Sequence, residues 1–100
     1  MWYAIHARDK EGSLENRLAS RPAHVERLKE LNRQGRLLTA GPLPAIDALD
    51  PGPAGFQGSL VIADFRDIAE ARSWAADDPY FAAGVYAQVD VYPFKRVLPL

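Results

Sequence analysis

Cysteine is absent from the 100-residue chain, which removes disulfide staples, thiolate nucleophiles and cysteine-ligated metal sites together. Long apolar runs are missing too, and nothing approaches the roughly 20 residues that a membrane-spanning helix needs. Neither sign of charge prevails: twelve basic residues stand against thirteen acidic ones, for a net charge of −1. With no block of either sign, the electrostatic footprint of nucleic-acid or anionic-lipid binding is lacking. The glycines form neither a dinucleotide fingerprint nor a phosphate loop, and His6 and His24 lack the His-x-x-x-His spacing of a metal site. The expectation is therefore no metal, no cofactor, no nucleic-acid partner and no membrane partner. The first eight residues alternate instead of forming a basic head and an apolar block, so no secretory leader is read and a cytoplasmic location is expected.

What is present is ordinary globular material, 48% hydrophobic and 25% charged. Residues 1–100 make one domain, burying about two-thirds of the surface that the unfolded chain exposes. Trp2 to Arg8 alternates, with Tyr3, Ile5 and Ala7 on one face and Trp2, Ala4, His6 and Arg8 on the other, as a strand does. Ser13 is placed to cap a helical segment carrying Leu14 and Leu18, which Pro22 breaks or kinks. From Pro22 a helix resumes with His24, Leu28 and Leu31 at i, i+4 and i+7, facing inward, while Glu26, Lys29 and Arg33 face solvent. Gly35 stops it.

Arg36 to Gly41 reads as a second strand. Pro42 to Gly58 is crowded with proline and glycine and reads as a long irregular loop, passive or functional. Ser59 to Phe65, apolar on both faces, is the strongest strand signal. Asp67 with Glu70 resembles a capping box opening a short helix whose stripe is Ile68, Ala71, Trp74 and Ala75. Tyr86 to Arg96 closes the chain as a strand, and Pro93 within it points to an edge or a bulge. The order β-α-β-β-α-β predicts a ferredoxin-like α+β fold: a four-stranded antiparallel sheet with two helices on one face. Trp2, Leu60, Ile62, Tyr92 and Phe94 would then lie on the bare face, which predicts a homodimer formed through the sheet.

Two proline-marked breaks carry the chemistry. Asp78 precedes Pro79, so its backbone leaves the α region and it becomes the natural N-cap of a new turn that Gly84 can end. Pro22 likewise places His24 in the first turn of its helix. An imidazole titrates near neutrality and a carboxylate can fix its tautomer, so His24 and Asp78 are the candidate catalytic pair, with His24 as the base. Each also has a purely structural reading: His24 as a half-buried helix-terminus histidine, Asp78 as a cap and nothing more. His6 is a second candidate for the same cavity or an ordinary interface histidine, and Asp77 is a solvated helix-end charge. Tyr80, Phe81 and Tyr86 offer flat faces to a ring-shaped ligand or pack in the core.

Arg21-Pro22-Ala23-His24, Gly35 to Pro42, Ala54-Gly55-Phe56, Asp78-Pro79-Tyr80 and Ala83-Gly84-Val85-Tyr86 occur in an order and spacing that resemble the YciI-like proteins, the YCII-related domain family. The resemblance runs from Met1 to Phe94. It implies a ferredoxin-like subunit dimerising through its sheet, in the wider group of dimeric α/β barrels, and a cleft whose histidine and aspartate map onto His24 and Asp78. It further implies lyase-like or dehydrochlorinating relatives acting on ring compounds. The function expected is a cofactor-independent small-molecule enzyme doing isomerase- or lyase-like proton transfer. Gly41, Pro42, Tyr80 and Phe81 would be its substrate-binding residues. A non-catalytic dimeric ligand-binding module and an accessory subunit are the alternatives, and an unknown small molecule, such as a ring compound, is the expected ligand.

Overall fold

The computed structural model describes residues 1–99; Leu100, the last residue of the expected domain, lies outside them. The elements are β1 (Trp2–Asp9), α1 (Leu14–Arg33), β2 (Leu37–Pro44), a 3-10 turn (Gly52–Ala54), β3 (Phe56–Asp64), α2 (Ile68–Ala76), α3 (Pro79–Ala82) and β4 (Tyr86–Phe94). The strands form one antiparallel sheet in the order β2-β3-β1-β4. This is the ferredoxin-like α+β arrangement, with α1 and α2 as its main helices and α3 a single added turn before β4.

Alternation in β1 works as expected, with Tyr3, Ile5 and Ala7 all buried. Tyr3 and Ile5 meet Val61 and Ala63 of β3, Leu31 of α1, and Ala71 and Ala75 of α2, with Phe65 closing the core, while Ala7 packs with Tyr80, Val85 and Tyr86. Asp67 accepts the Glu70 amide hydrogen at 2.8 Å and caps α2, one half of the expected box, while the Glu70 carboxylate accepts from Arg36 at 3.0 Å instead of returning to the Asp67 amide. Gly58 is required by close approach: a Cβ there would lie 1.9 Å from the Ala7 carbonyl oxygen on the neighbouring strand.

Three local expectations are corrected. Ser13 makes no side-chain cap; its hydroxyl donates to the Lys10 carbonyl at 2.7 Å instead. Pro22 does not break the helix, because α1 runs through it from Leu14 to Arg33. Interior proline costs about 3 kcal/mol, which here is offset by tertiary packing: Arg17, His24 and Leu31 keep one side of α1 buried on both sides of Pro22. His24 is consequently mid-helix, and no helix N-terminus acts on it. The irregular region is also shorter than expected. β2 continues through Pro42 and Pro44, paired with Ser59 and Phe56. It can do so because β2 is an edge strand, where a missing N–H is tolerated. Pro93 obeys the same rule on the other edge strand, β4.

The sheet face away from the helices carries Trp2, Leu60, Ile62, Tyr92 and Phe94. Ile62 is already 9% exposed within the subunit and Tyr92 is 54% exposed, so the open surface there belongs to the rings more than to Ile62. Among the described residues no helix is long and apolar enough to cross a membrane.

Candidate functional site

Asp78 sits between two helices. Its extended backbone ends the α2 connection, and its carboxylate Oδ1 accepts the Tyr80 amide hydrogen at 2.9 Å, capping α3. Gly84, at φ +75°, closes that turn in a conformation suited to glycine. The same carboxylate faces α1, where His24 Nδ1 lies 2.8 Å from Oδ2 and 3.0 Å from Oδ1. Both residues are buried, His24 to 7% and Asp78 to 3% exposure. The structure thus brings the two residues together, and the cap and the contact with His24 share one carboxylate.

An ionised carboxylate only accepts, so Nδ1 carries the hydrogen and the lone pair of the neutral ring is left on Nε2. Nε2 has no protein partner, and among the described residues the one buried side-chain nitrogen left unpartnered is Nη1 of Arg27. Nε2 therefore opens on a cavity of about 250 Å³, lined by Arg17, Leu18, Arg21, His24, Val25, Leu28, Ala40, Gly41, Pro42, Phe56 and Tyr80. Tyr80 stacks on the imidazole with ring centroids 4.1 Å apart and planes 16° off parallel, and meets Tyr86 edge-on at 5.5 Å. Burial pushes the Tyr80 phenol upward, against the opposing pull of Arg17 and Arg21. Tyr86 is pushed up further, by burial first and the nearby Asp78 charge second. Both stay protonated at neutral pH.

A buried ion pair braces the cavity floor. Arg17, 4% exposed, donates through Nε to Asp9 Oδ2 at 2.7 Å and through Nη2 to Asp9 Oδ1 at 2.9 Å and Ser59 Oγ at 2.8 Å. Its guanidinium lies 4.6 Å from the Tyr80 ring centroid and 5.4 Å from that of Phe56. Burial acts to lower the Arg17 pKa, and the hydrogen bond and charge of Asp9 more than offset it, so the net direction is upward.

Of the residues expected at the site, His24, Gly41, Pro42 and Tyr80 line the cavity, with Asp78 directly behind His24. Phe81 does not join them. It is 51% exposed and lies with Arg72, Ala75 and Val89 beside β4, because one residue's advance along a helical turn carries its ring away from Tyr80. His6 is on the opposite sheet face, in a separate hollow of about 670 Å³ with Arg8, Lys10 and Phe56, so it does not share the His24 cavity. Asp77 is exposed at the end of α2. Arg17, Arg21 and Phe56 were not anticipated. Residues 17, 21, 24 and 28 follow one helical face, a signal that appears only once the helix is allowed to pass through Pro22. Among the described residues no three histidine or acidic side chains converge as a metal-ligand set.

The YCII-related domain model matches residues 1–95. The chain belongs to that family. Protein YciI of Escherichia coli O6:H1 is 60% identical over 97 residues, covering 97% of this chain and 99% of its own. An uncharacterized protein of Haemophilus influenzae is 57% identical over the same length. Among solved structures, 5-chloro-2-hydroxyhydroquinone dehydrochlorinase (TftG) from Burkholderia phenoliruptrix, in complex with 2,5-dihydroxybenzoquinone, superposes with a TM-score of 0.83 and 28% identity over 97% of this chain and 96% of that one. The likeness to Atu4242 from Agrobacterium tumefaciens, TM-score 0.52 at 14% identity, covers 98% of this chain and 95% of that one and concerns the fold alone.

Proposed function

We propose that this protein is a small-molecule enzyme that needs no cofactor and moves a proton on a ring compound, in an isomerase- or lyase-like reaction. The observation that carries the reading is the orientation of His24: Nδ1 held by Asp78, Nε2 open to a cavity of about 250 Å³. Nε2 is the base. It takes a proton from an acidic C–H or O–H of the ring, and the Asp78 carboxylate stabilises the imidazolium that forms. The imidazolium then returns the proton to another ring position, which is isomerisation, or loses it to water after a leaving group has departed with its electron pair, which is elimination. Phe56 supplies a flat wall for the ring, and Gly41 and Pro42 the strand wall that positions it, while Tyr80, 1% exposed, backs the imidazole.

The cavity is smaller than the roughly 300–1,000 Å³ typical of drug-sized ligands, which favours a single substituted ring. Full-length similarity to a dehydrochlorinase bound to a dihydroxyquinone supports the same class. The assembly that fits the reading is a symmetric homodimer closed over the open sheet face, whose aromatic residues Trp2, Tyr92 and Phe94 a small subunit would otherwise leave in water.

The test is to incubate the protein with hydroxylated and chlorinated six-membered-ring compounds, measuring chloride release and deuterium uptake from D2O at ring positions. Turnover abolished by His24→Asn supports the reading. Ring compounds retained unchanged, with no exchange and no chloride release, would favour a binding module instead.

A further inference from the structure

The cavity beside His24 has a charge pattern that proton transfer alone does not use. It is lined by two guanidinium groups and no carboxylate. Arg17 is committed, clamped by Asp9 and Ser59. Arg21 is not: it is exposed on the cavity side of α1 and forms no ion pair among the described residues. Its helical neighbours three and four positions away are Arg17, Leu18, His24 and Val25, so α1 offers it no acidic partner. Arg17 and Arg21 at i, i+4 are a like-charge pair, which is mildly unfavourable on a helix. An anion in the cavity would relieve it.

We propose that Arg21 is the anion-recognition residue of this cavity and that its ligand is a single planar ring bearing an ionised oxygen. This rests on the proton-transfer reading and narrows its substrate class. Arg21 and His24 are three residues apart on one helical face, so a ring whose anionic oxygen is held by the guanidinium can present a neighbouring position to His24 Nε2. A planar guanidinium recognises a phenolate, an enolate or a carboxylate with the same paired donors. The rest of the wall, Val25, Leu28, Pro42 and Phe56, is suited to the ring itself.

Binding separates this idea from catalysis. Three probes of similar size distinguish the sources of negative charge: benzoate, 4-nitrophenol, whose ionised form absorbs visible light, and neutral benzamide. Isothermal titration at about pH 8 should show wild type binding benzoate or 4-nitrophenolate in preference to benzamide, and at about pH 6, where free 4-nitrophenol is mostly neutral, the bound probe should be shifted towards its phenolate. Arg21→Gln should weaken the ionised probes about ten- to hundredfold and leave benzamide unchanged, while Arg21→Lys should keep part of the preference. Arg21 is exposed, and an unchanged thermal melt of each variant would confirm that folding is preserved. Equal affinity of wild type for benzoate and benzamide, an Arg21→Gln variant that binds ionised probes like wild type, or no binding of any probe at millimolar concentration would overturn the proposal. Selective anion binding with no turnover of any ring compound would refute the catalytic reading alone. Turnover indifferent to Arg21→Gln would refute this one alone.

Discussion

Replacing Asp78 with asparagine separates the two roles of its carboxylate. Asparagine is as good an N-cap as aspartate, so its side-chain oxygen should still accept the Tyr80 amide hydrogen and preserve α3. The amide nitrogen would then face His24 Nδ1. That nitrogen donates and cannot accept, so an Nδ1–H would meet a donor at the closer of its two contacts, 2.8 Å, and the imidazole relieves this by turning its lone pair to Nδ1 and carrying its hydrogen on Nε2. The stability loss should be modest, about 1 kcal/mol, the difference between a charge-assisted and a neutral hydrogen bond. The chemical loss should be large. A base whose lone pair points away from the cavity forfeits most of the 10²–10⁴-fold that general base catalysis typically supplies. Asp78→Ala differs in kind, because it strands the Tyr80 amide and His24 Nδ1 together and should cost about 2–5 kcal/mol. Long-range ¹⁵N-correlated NMR of the His24 ring reads the tautomer without a substrate. The neutral wild-type ring should be protonated at Nδ1 and the Asp78→Asn ring at Nε2. A wild-type ring protonated at Nε2, or a tautomer indifferent to the substitution, would refute the orienting role of Asp78.

Asp9→Asn should destabilise the protein by about 3–5 kcal/mol in urea denaturation, because it leaves the Arg17 guanidinium buried without its counter-charge; a loss under 1 kcal/mol would mean that the pair is solvated. Burial raises Tyr80 and Tyr86 above the ordinary phenol value of 10.0, so the native state keeps protons that the unfolded chain releases, and stability should be full below pH 10 and fall as pH rises past it. Tyrosinate absorbance from these two residues, identified by difference against the Tyr80→Phe/Tyr86→Phe variant, should therefore appear together with loss of circular dichroism, not before it. Sedimentation at micromolar concentration should show a dimer that Tyr92→Glu weakens. Tyr92 is the better probe than Ile62, since Ile62 is buried within the subunit and a charge there would damage the fold itself; a wild-type monomer would dispose of the sheet-face assembly.

The sheet and its helix-facing residues were legible because alternation in β1 and β3 and the Asp67 cap are local signals that tertiary structure reinforces. The Asp78 break was equally legible, since proline restricts the residue before it whatever surrounds it. Pro22 misled for the opposite reason. Its local penalty is real, but a helix buried along one side through Arg17, His24 and Leu31 outweighs about 3 kcal/mol, and reading a break there hid Arg17 and Arg21 from the site. Proline in β2 misled likewise, because only the strand order reveals that β2 lies at an edge. The separation of Tyr80 from Phe81 depended on which face the α3 turn presented inward, and no local pattern encodes that, whereas the alternation of β1 already set His6 beside Trp2 on the face away from the helices.

The most direct test of the His24–Asp78 pair is a double-mutant cycle. On a ring compound that the wild type turns over, kcat/KM is measured for His24→Asn, Asp78→Asn and the two combined. Asp78 is proposed to act through His24, so the account predicts a double variant about as slow as His24→Asn alone. Losses that multiply would show that the two residues contribute independently and would contradict it.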